Sequence, residues 1–153
     1  MRSDVALEDA LVRTSFRVMA VLTRIGSEHD LSLTQLRVLG LLRDRRPRMA
    51  ELAAFLGLDK STMSGLVERA ERRGLVARGK SAEDRRAVDV FITPAGRELA
   101  EQVQEEVRAA LVPFIDRLRA DERRLLTGLL DSLTGAATAN ARGVTGTLPL
   151  DRA

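Results

Sequence analysis

The chain has 153 residues, 44% of them hydrophobic and 3% aromatic, with no Cys, Trp or Tyr and a formal net charge of +3. That length suits about one domain, and the composition favours a helical core of Leu, Val and Ala. The lack of Cys excludes a disulfide framework, a thiolate metal site and a thiol switch, and no stretch has the run of about 18 apolar residues that a membrane span needs.

The N-terminus, MRSDVALEDALVRTSF, has no apolar signal-peptide core, so a cytoplasmic protein with no membrane partner is expected. From Asp4 to about Glu28, Leu7, Leu11, Val12, Phe16, Met19, Leu22 and Ile25 recur close to the helical period, predicting a first helix. Ser32 and Gln35 have the spacing of a capping box, which predicts a second helix from Leu33 to about Asp44. Pro47 breaks that pattern. Leu52, Ala53 and Leu56 mark a short third helix ending at Gly57, and Asp59 caps a fourth that runs to Arg73 and is closed by Gly74.

Leu75 to Ala77 and Ala87 to Ile92 read as strands, with RGKSAEDRR, Arg78 to Arg86, as the loop between them. Thr93 as cap and Pro94 in the first turn open a long helix through Leu99, Val103, Val107, Leu111, Phe114 and Leu118, which Pro113 should kink near Ala109 and Ala110. Asp121 is expected to cap a last helix through Leu125, Leu126, Leu129, Leu130 and Leu133. The remainder, rich in Gly, Ala and Thr, reads as a mobile tail. This gives an N-terminal helix over residues 1–30, a lobe over 31–93, C-terminal helices over 94–134 and a tail over 135–153.

The charge is unevenly spread. Arg43 to Arg86 holds 12 basic and 7 acidic residues, net +5, against −2 for the rest. In the same stretch, Ala53, Gly57 and Met63 stand at the offsets of a helix-turn-helix: a small residue at the helix crossing, a Gly able to take positive φ, and an apolar anchor. A plain helical hairpin in a bundle has the same spacing. The basic hairpin that follows favours a winged helix, with one helix for the major groove and a wing whose Arg and Lys meet phosphate or a narrow minor groove.

These residues resemble the MarR family of bacterial winged-helix regulators. DRRAVDVFIT, Asp84 to Thr93, matches the family signature D-x-R-x-x-x-V-x-L-T through Asp84, Arg86, Val90 and Thr93, with Ile92 for Leu. The likeness continues in LSLTQLRVL, LDKSTMSGLVERAERRGLV and ITPAGREL. It implies a mainly α winged helix-turn-helix with a small β-hairpin wing and long terminal dimerisation helices. It implies too that Arg86 enters the minor groove, that Asp84 holds the wing through a basic partner, and that the helix from Lys60 reads the major groove. Arg48 and Met49 depart from the family pattern, standing where a polar cap is usual.

On the fourth helix, Met63, Leu66, Val67 and Ala70 form the inward stripe, leaving Lys60, Ser61, Thr62, Ser64, Gly65 and Arg69 as candidate DNA contacts. Arg78, Lys80 and Arg85 join Arg86 as wing contacts, with a solvated charged face as the plainer alternative. Arg69 can instead be an ion-pair partner, Asp84 being the first candidate. The seam of a homodimer is expected at Leu7, Leu11, Leu118, Leu125, Leu129, Leu130 and Leu133.

The resemblance implies a small aromatic or lipophilic effector between the dimer helices and the lobes, here near Phe16, Arg17, Met19, His29 and Arg37. His29, the one His of the chain, also reads as a group interacting with the end of the first helix. It cannot build a metal site without further His or Cys. No nucleophile and base pair and no phosphate-binding Gly loop occurs, so neither an enzyme nor a cofactor is expected. The expected partner is double-stranded DNA, as a palindromic operator bound by a repressor. The alternatives are a winged-helix protein-interaction module and a nonspecific architectural DNA binder.

Overall fold

In the computed structural model, which describes residues 4–136, the elements run α1 (Val5–Glu28), α2 (Leu33–Leu42), α3 (Met49–Leu56), α4 (Lys60–Arg72), β1 (Val76–Lys80), β2 (Val88–Ile92), α5 (Pro94–Ile115) and α6 (Ala120–Thr134). The chain divides between Ala110 and Leu111, inside α5, into two packing units. The tail expected over 135–153 lies, from residue 137 onward, outside the described residues.

Local chemistry sets most of the boundaries. Ser32 and Gln35 close a capping box, Ser32 Oγ accepting from Gln35 N at 3.1 Å and Gln35 Oε1 from Ser32 N at 2.7 Å. Gly57 ends α3 at φ +65°, the left-handed conformation that only Gly adopts without strain, and Leu58 N returns to Ala53 O at 2.9 Å. Thr93 Oγ accepts from Gly96 N at 3.0 Å, giving α5 its cap with Pro94 in the first turn.

Three boundaries differ from those predicted. β1 reaches Lys80 because Arg78, Gly79 and Lys80 pair with Val90, Asp89 and Val88, so Arg78 and Lys80 belong to the ladder and the loop shrinks to residues 81–87. α6 is capped at Arg119, not Asp121: Glu122 accepts from the Arg119 N–H at 2.8 Å, while Asp121 sits in the first turn, where a carboxylate suits the helix dipole. α5 ends at Ile115, so Leu118 lies in the connection and Pro113 in the last helical turn.

The core of the first unit gathers Ile25, Val38, Leu42, Leu52, Met63, Val67 and Val90, all buried, with Ala100 and Val103 added from α5. Pro47 and Arg48 lie along β2: Val90 N donates to Pro47 O at 2.9 Å and Arg48 bridges Asp89. The start of α3 is thereby fixed beside the wing. At the other end of the hairpin, Gly96 packs against the Leu75 carbonyl, where an added Cβ would overlap the oxygen. Gly96→Ala should therefore destabilise the chain by about 3 kcal/mol or more, because backbone must move to make room. Urea unfolding checks this, and an unchanged midpoint would contradict the packing.

Candidate nucleic-acid interface

Asp59 starts α4 with two bonds from one residue: Thr62 N donates to Oδ1 and Thr62 Oγ to Oδ2, each at 2.8 Å. The backbone N–H first, then the hydroxyl, hold the Asp59 carboxyl below the usual carboxylate range. The Thr62 hydroxyl proton is thus committed inside the chain, although the residue is exposed.

Met63, Leu66, Val67 and Ala70 are buried, as the periodicity requires, while Lys60, Ser61, Thr62 and Arg69 are exposed and Ser64 and Gly65 half-buried. Among the described residues nothing demands Gly at 65. A Cβ there would meet only Arg69 Nη1, at an ordinary 3.5 Å. An interior helical Gly costs about 1 kcal/mol relative to Ala, so the bare backbone at 65 is unexplained by packing and suits close approach from outside.

The wing turns through bonds of its own. Ser81 Oγ accepts from Glu83 N at 3.3 Å, Asp84 Oδ1 accepts from Arg86 N at 2.9 Å, and Ala87 N donates to Asp84 O at 3.0 Å. Asp84 therefore braces the wing through the Arg86 backbone rather than through a basic side chain, and Arg69 is not its partner. Behind the wing, Arg46 binds Asp89 at 3.3 Å and stacks over Phe91, 4.2 Å from its centroid.

Between the start of α3, α4 and the wing lies an open groove of about 480 Å³. Arg48, Lys60, Ser64, Arg78, Arg86 and Val88 line it, four of them cationic. The structure thus brings Lys60, Ser64, Arg78 and Arg86 together, while Lys80 and Arg85 are exposed outside the lining. Sequence reasoning missed Arg48, read only as a departure from a cap. The available signal was its place in RDRRPR, an extended basic run directly before the motif. Arg78 is not free, since its guanidinium pairs with Glu71 of α4.

The residues expected around an effector do not converge on one cavity. Phe16 and Met19 are exposed on α1, and Arg37 stands 6.0 Å from the centroid of the Phe55 ring. His29 Nε2 lies 2.9 Å from Glu106 Oε2 on α5, a partner 77 residues away. That hydrogen bond is the main cause holding the Glu106 carboxyl below its ordinary value, against the opposing effect of burial. Arg73, just past α4, donates to the carbonyls of Asp30 at 2.7 Å and His29 at 2.8 Å, so the same turn anchors α4 and α5. A different cavity, of about 250 Å³, opens between α1, α2 and α5, with Leu22, Leu36, Leu39 and Val107 as walls and Arg43 and Gln104 as polar groups. None of the five expected residues lines it.

A helix-turn-helix whose second helix shares a basic groove with a two-stranded wing is a winged helix-turn-helix, the class of lobe that reads duplex DNA. Residues 29–87 match the family profile described as MarR family. The HTH-type transcriptional regulator YfiV of Bacillus subtilis is 30% identical over 114 residues, covering 74% of this chain and 71% of the relative. The homoprotocatechuate degradative operon repressor of Escherichia coli is 25% identical over 143 residues, 92% of this chain and 96% of that one. The crystal structure of CouR from Rhodococcus jostii RHA1 bound to p-coumaroyl-CoA aligns with TM-score 0.68 and 26% identity over 86% of this chain and 92% of that one.

The chain belongs to the MarR family of transcriptional regulators. Its fold and family are those of DNA-binding regulators rather than enzymes. Among the described residues, no helix is long and apolar enough to cross a membrane and no cluster of side chains suits a metal ion.

Proposed function

We propose that the chain acts as a homodimeric repressor that binds a roughly palindromic double-stranded operator and is released by a small aromatic or lipophilic effector. The observation that carries this reading is the groove lined by Arg48, Lys60, Arg78 and Arg86 between α4 and the wing. In it α4 enters the major groove, with Ser61, Thr62, Ser64 and the Gly65 backbone toward base edges and Lys60 and Arg69 toward phosphate. Arg86 reaches the adjacent minor groove, and Lys80 and Arg85 meet phosphates beside it. The helices outside the lobe, α1, α5 and α6, supply the dimer contacts.

The repressor that resembles this chain supports the direction of regulation. CouR, solved with an acyl-CoA thioester, supports an effector. We place that effector in the cavity between α1, α2 and α5, whose apolar walls suit a small lipophilic body and whose Arg43 and Gln104 suit a polar group on it.

Selection of bound duplexes from a random DNA pool tests the reading. It should enrich two inverted half-sites about one helical turn, 34–36 Å, apart. With about 6–10 phosphate contacts, affinity should fall roughly 10³- to 10⁵-fold between about 50 and 200 mM salt. Binding without an enriched motif would mean an architectural protein. No binding to any duplex at low salt would mean that the lobe grips protein instead.

A further inference from the structure

Two of the four cations that line the basic groove already hold carboxylates, and the two pairs differ in kind. Arg78 meets Glu71 through both Nε and Nη2, in a pair whose side chains are 38% and 29% exposed. That pair joins β1 to α4. Arg48 meets Glu83 of the wing only through Nη2, at 3.5 Å, and the Glu83 side chain is 86% exposed. Glu51, one turn along α3, stands further from Arg48, 3.9 Å from its Nε. Among the described residues, the side chains of Lys60 and Arg86 have no such partner.

Glu83 serves no packing role that accounts for it. Its carboxylate is in solvent, yet its backbone is fixed: Ser81, itself buried, accepts from its N–H, and the Asp84 turn follows at once. The wing therefore holds an anion against Arg48, one of the cations lining the groove, in a loop otherwise suited to meeting anions. The pair is exposed and long, so a phosphate can displace it.

We infer that Glu83 occupies on Arg48, in the free protein, the place a DNA phosphate takes in the complex, which makes Glu83 a determinant of how tightly and how salt-dependently the groove binds DNA. The inference rests on the reading of the groove as the DNA interface. Phosphate binding at Arg48 is then an exchange of anions. The DNA phosphate releases a cation as the freed Glu83 carboxylate takes one up, so the contact adds little to the salt dependence, whereas Lys60 and Arg86 contribute in full. The device lowers affinity for DNA of any sequence without removing a contact.

The test is a double-mutant cycle in the full chain, read as affinity and salt slope on a random-sequence duplex and on the selected operator. Glu83→Gln should tighten both about 1.5- to 5-fold per protomer, the range for releasing an exposed ion pair. It should also steepen the slope of log affinity against log salt by about 0.9 per protomer. Arg48→Ala should cost little in the native background and several-fold in the Glu83→Gln background. An equal Arg48→Ala penalty in both would make Glu83 only a repulsive surface charge and overturn the exchange. Weaker binding by Glu83→Gln would overturn it too, since Glu83 would then be aiming Arg48 at DNA. Lys60→Ala separates the two levels: it should weaken binding with or without Glu83, and if it does not, the groove is not the interface and both readings fall.

Discussion

Replacing Leu129 and Leu130 together with Asp should convert the proposed dimer into a monomer and reduce affinity for the proposed two-half-site operator by roughly two to four orders of magnitude, the avidity that a second half-site contributes. Leu125, Leu129 and Leu133 are 65%, 55% and 61% exposed, and Leu126 and Leu130 are both exposed beside them, so α6 presents five leucines that its own unit leaves uncovered. On α1, Leu7 and Leu11 are exposed as well, while Leu118 is half-buried. A monomer rarely displays an apolar face as large as the five leucines of α6 alone. An unpaired charge in such a seam costs several kcal/mol, about 3–5 when a buried pair is broken, and two per protomer outweigh the gain from the remaining leucines.

The fold itself should survive this change, because neither side chain is buried and Asp lowers helix propensity by only about 0.5 kcal/mol. Sedimentation and operator binding read the two effects separately. A double mutant that stays dimeric with native affinity would place the seam elsewhere.

Elements whose ends are set by neighbours in sequence were legible. Ser32 with Gln35, Asp59 with Thr62, Gly57 and Thr93 with Pro94 each satisfy orphan helix-end groups within a few residues, so spacing alone reveals them. What was not legible depends on distant partners. Arg-Gly-Lys at 78–80 has loop composition, yet it becomes strand because Val88–Val90 pair with it. His29 does sit at the end of α1, as its place in the sequence suggests, but its partner Glu106 comes from α5 and no local pattern announces it. Arg48 lines the groove only because the Asp89 bridge carries the start of α3 to the wing.

The walls of the cavity between α1, α2 and α5 were not legible for a related reason. Periodicity tells which side of α1 is apolar, but not that Leu22, rather than Phe16 or Met19, meets α2 and α5. Arg43 and Gln104, 61 residues apart in sequence, touch each other across that cavity, a contact no local pattern announces.

Arg86→Ala should weaken operator binding by about 1–3 kcal/mol per half-site while leaving thermal stability unchanged. Its backbone is held by Asp84, but its side chain is exposed, lines the groove with Lys60 and Ser64, and makes no ion pair among the described residues. Alanine keeps the N–H that Asp84 uses, so the wing keeps its turn and only the guanidinium is lost. Each lost cation contact should also make the salt dependence shallower by about 0.9 per half-site. Lys80→Ala, which removes a charge from the ladder's outer edge, should weaken operator and random duplex by the same factor. Arg86→Ala should weaken the operator more, because a narrow minor groove is sequence-dependent and a phosphate is not. Titrations of both variants on both duplexes, beside melting curves, decide the matter. If Arg86→Ala lowers the melting temperature, or leaves affinity and salt slope as they were, the wing is a structural hairpin and α4 alone carries recognition.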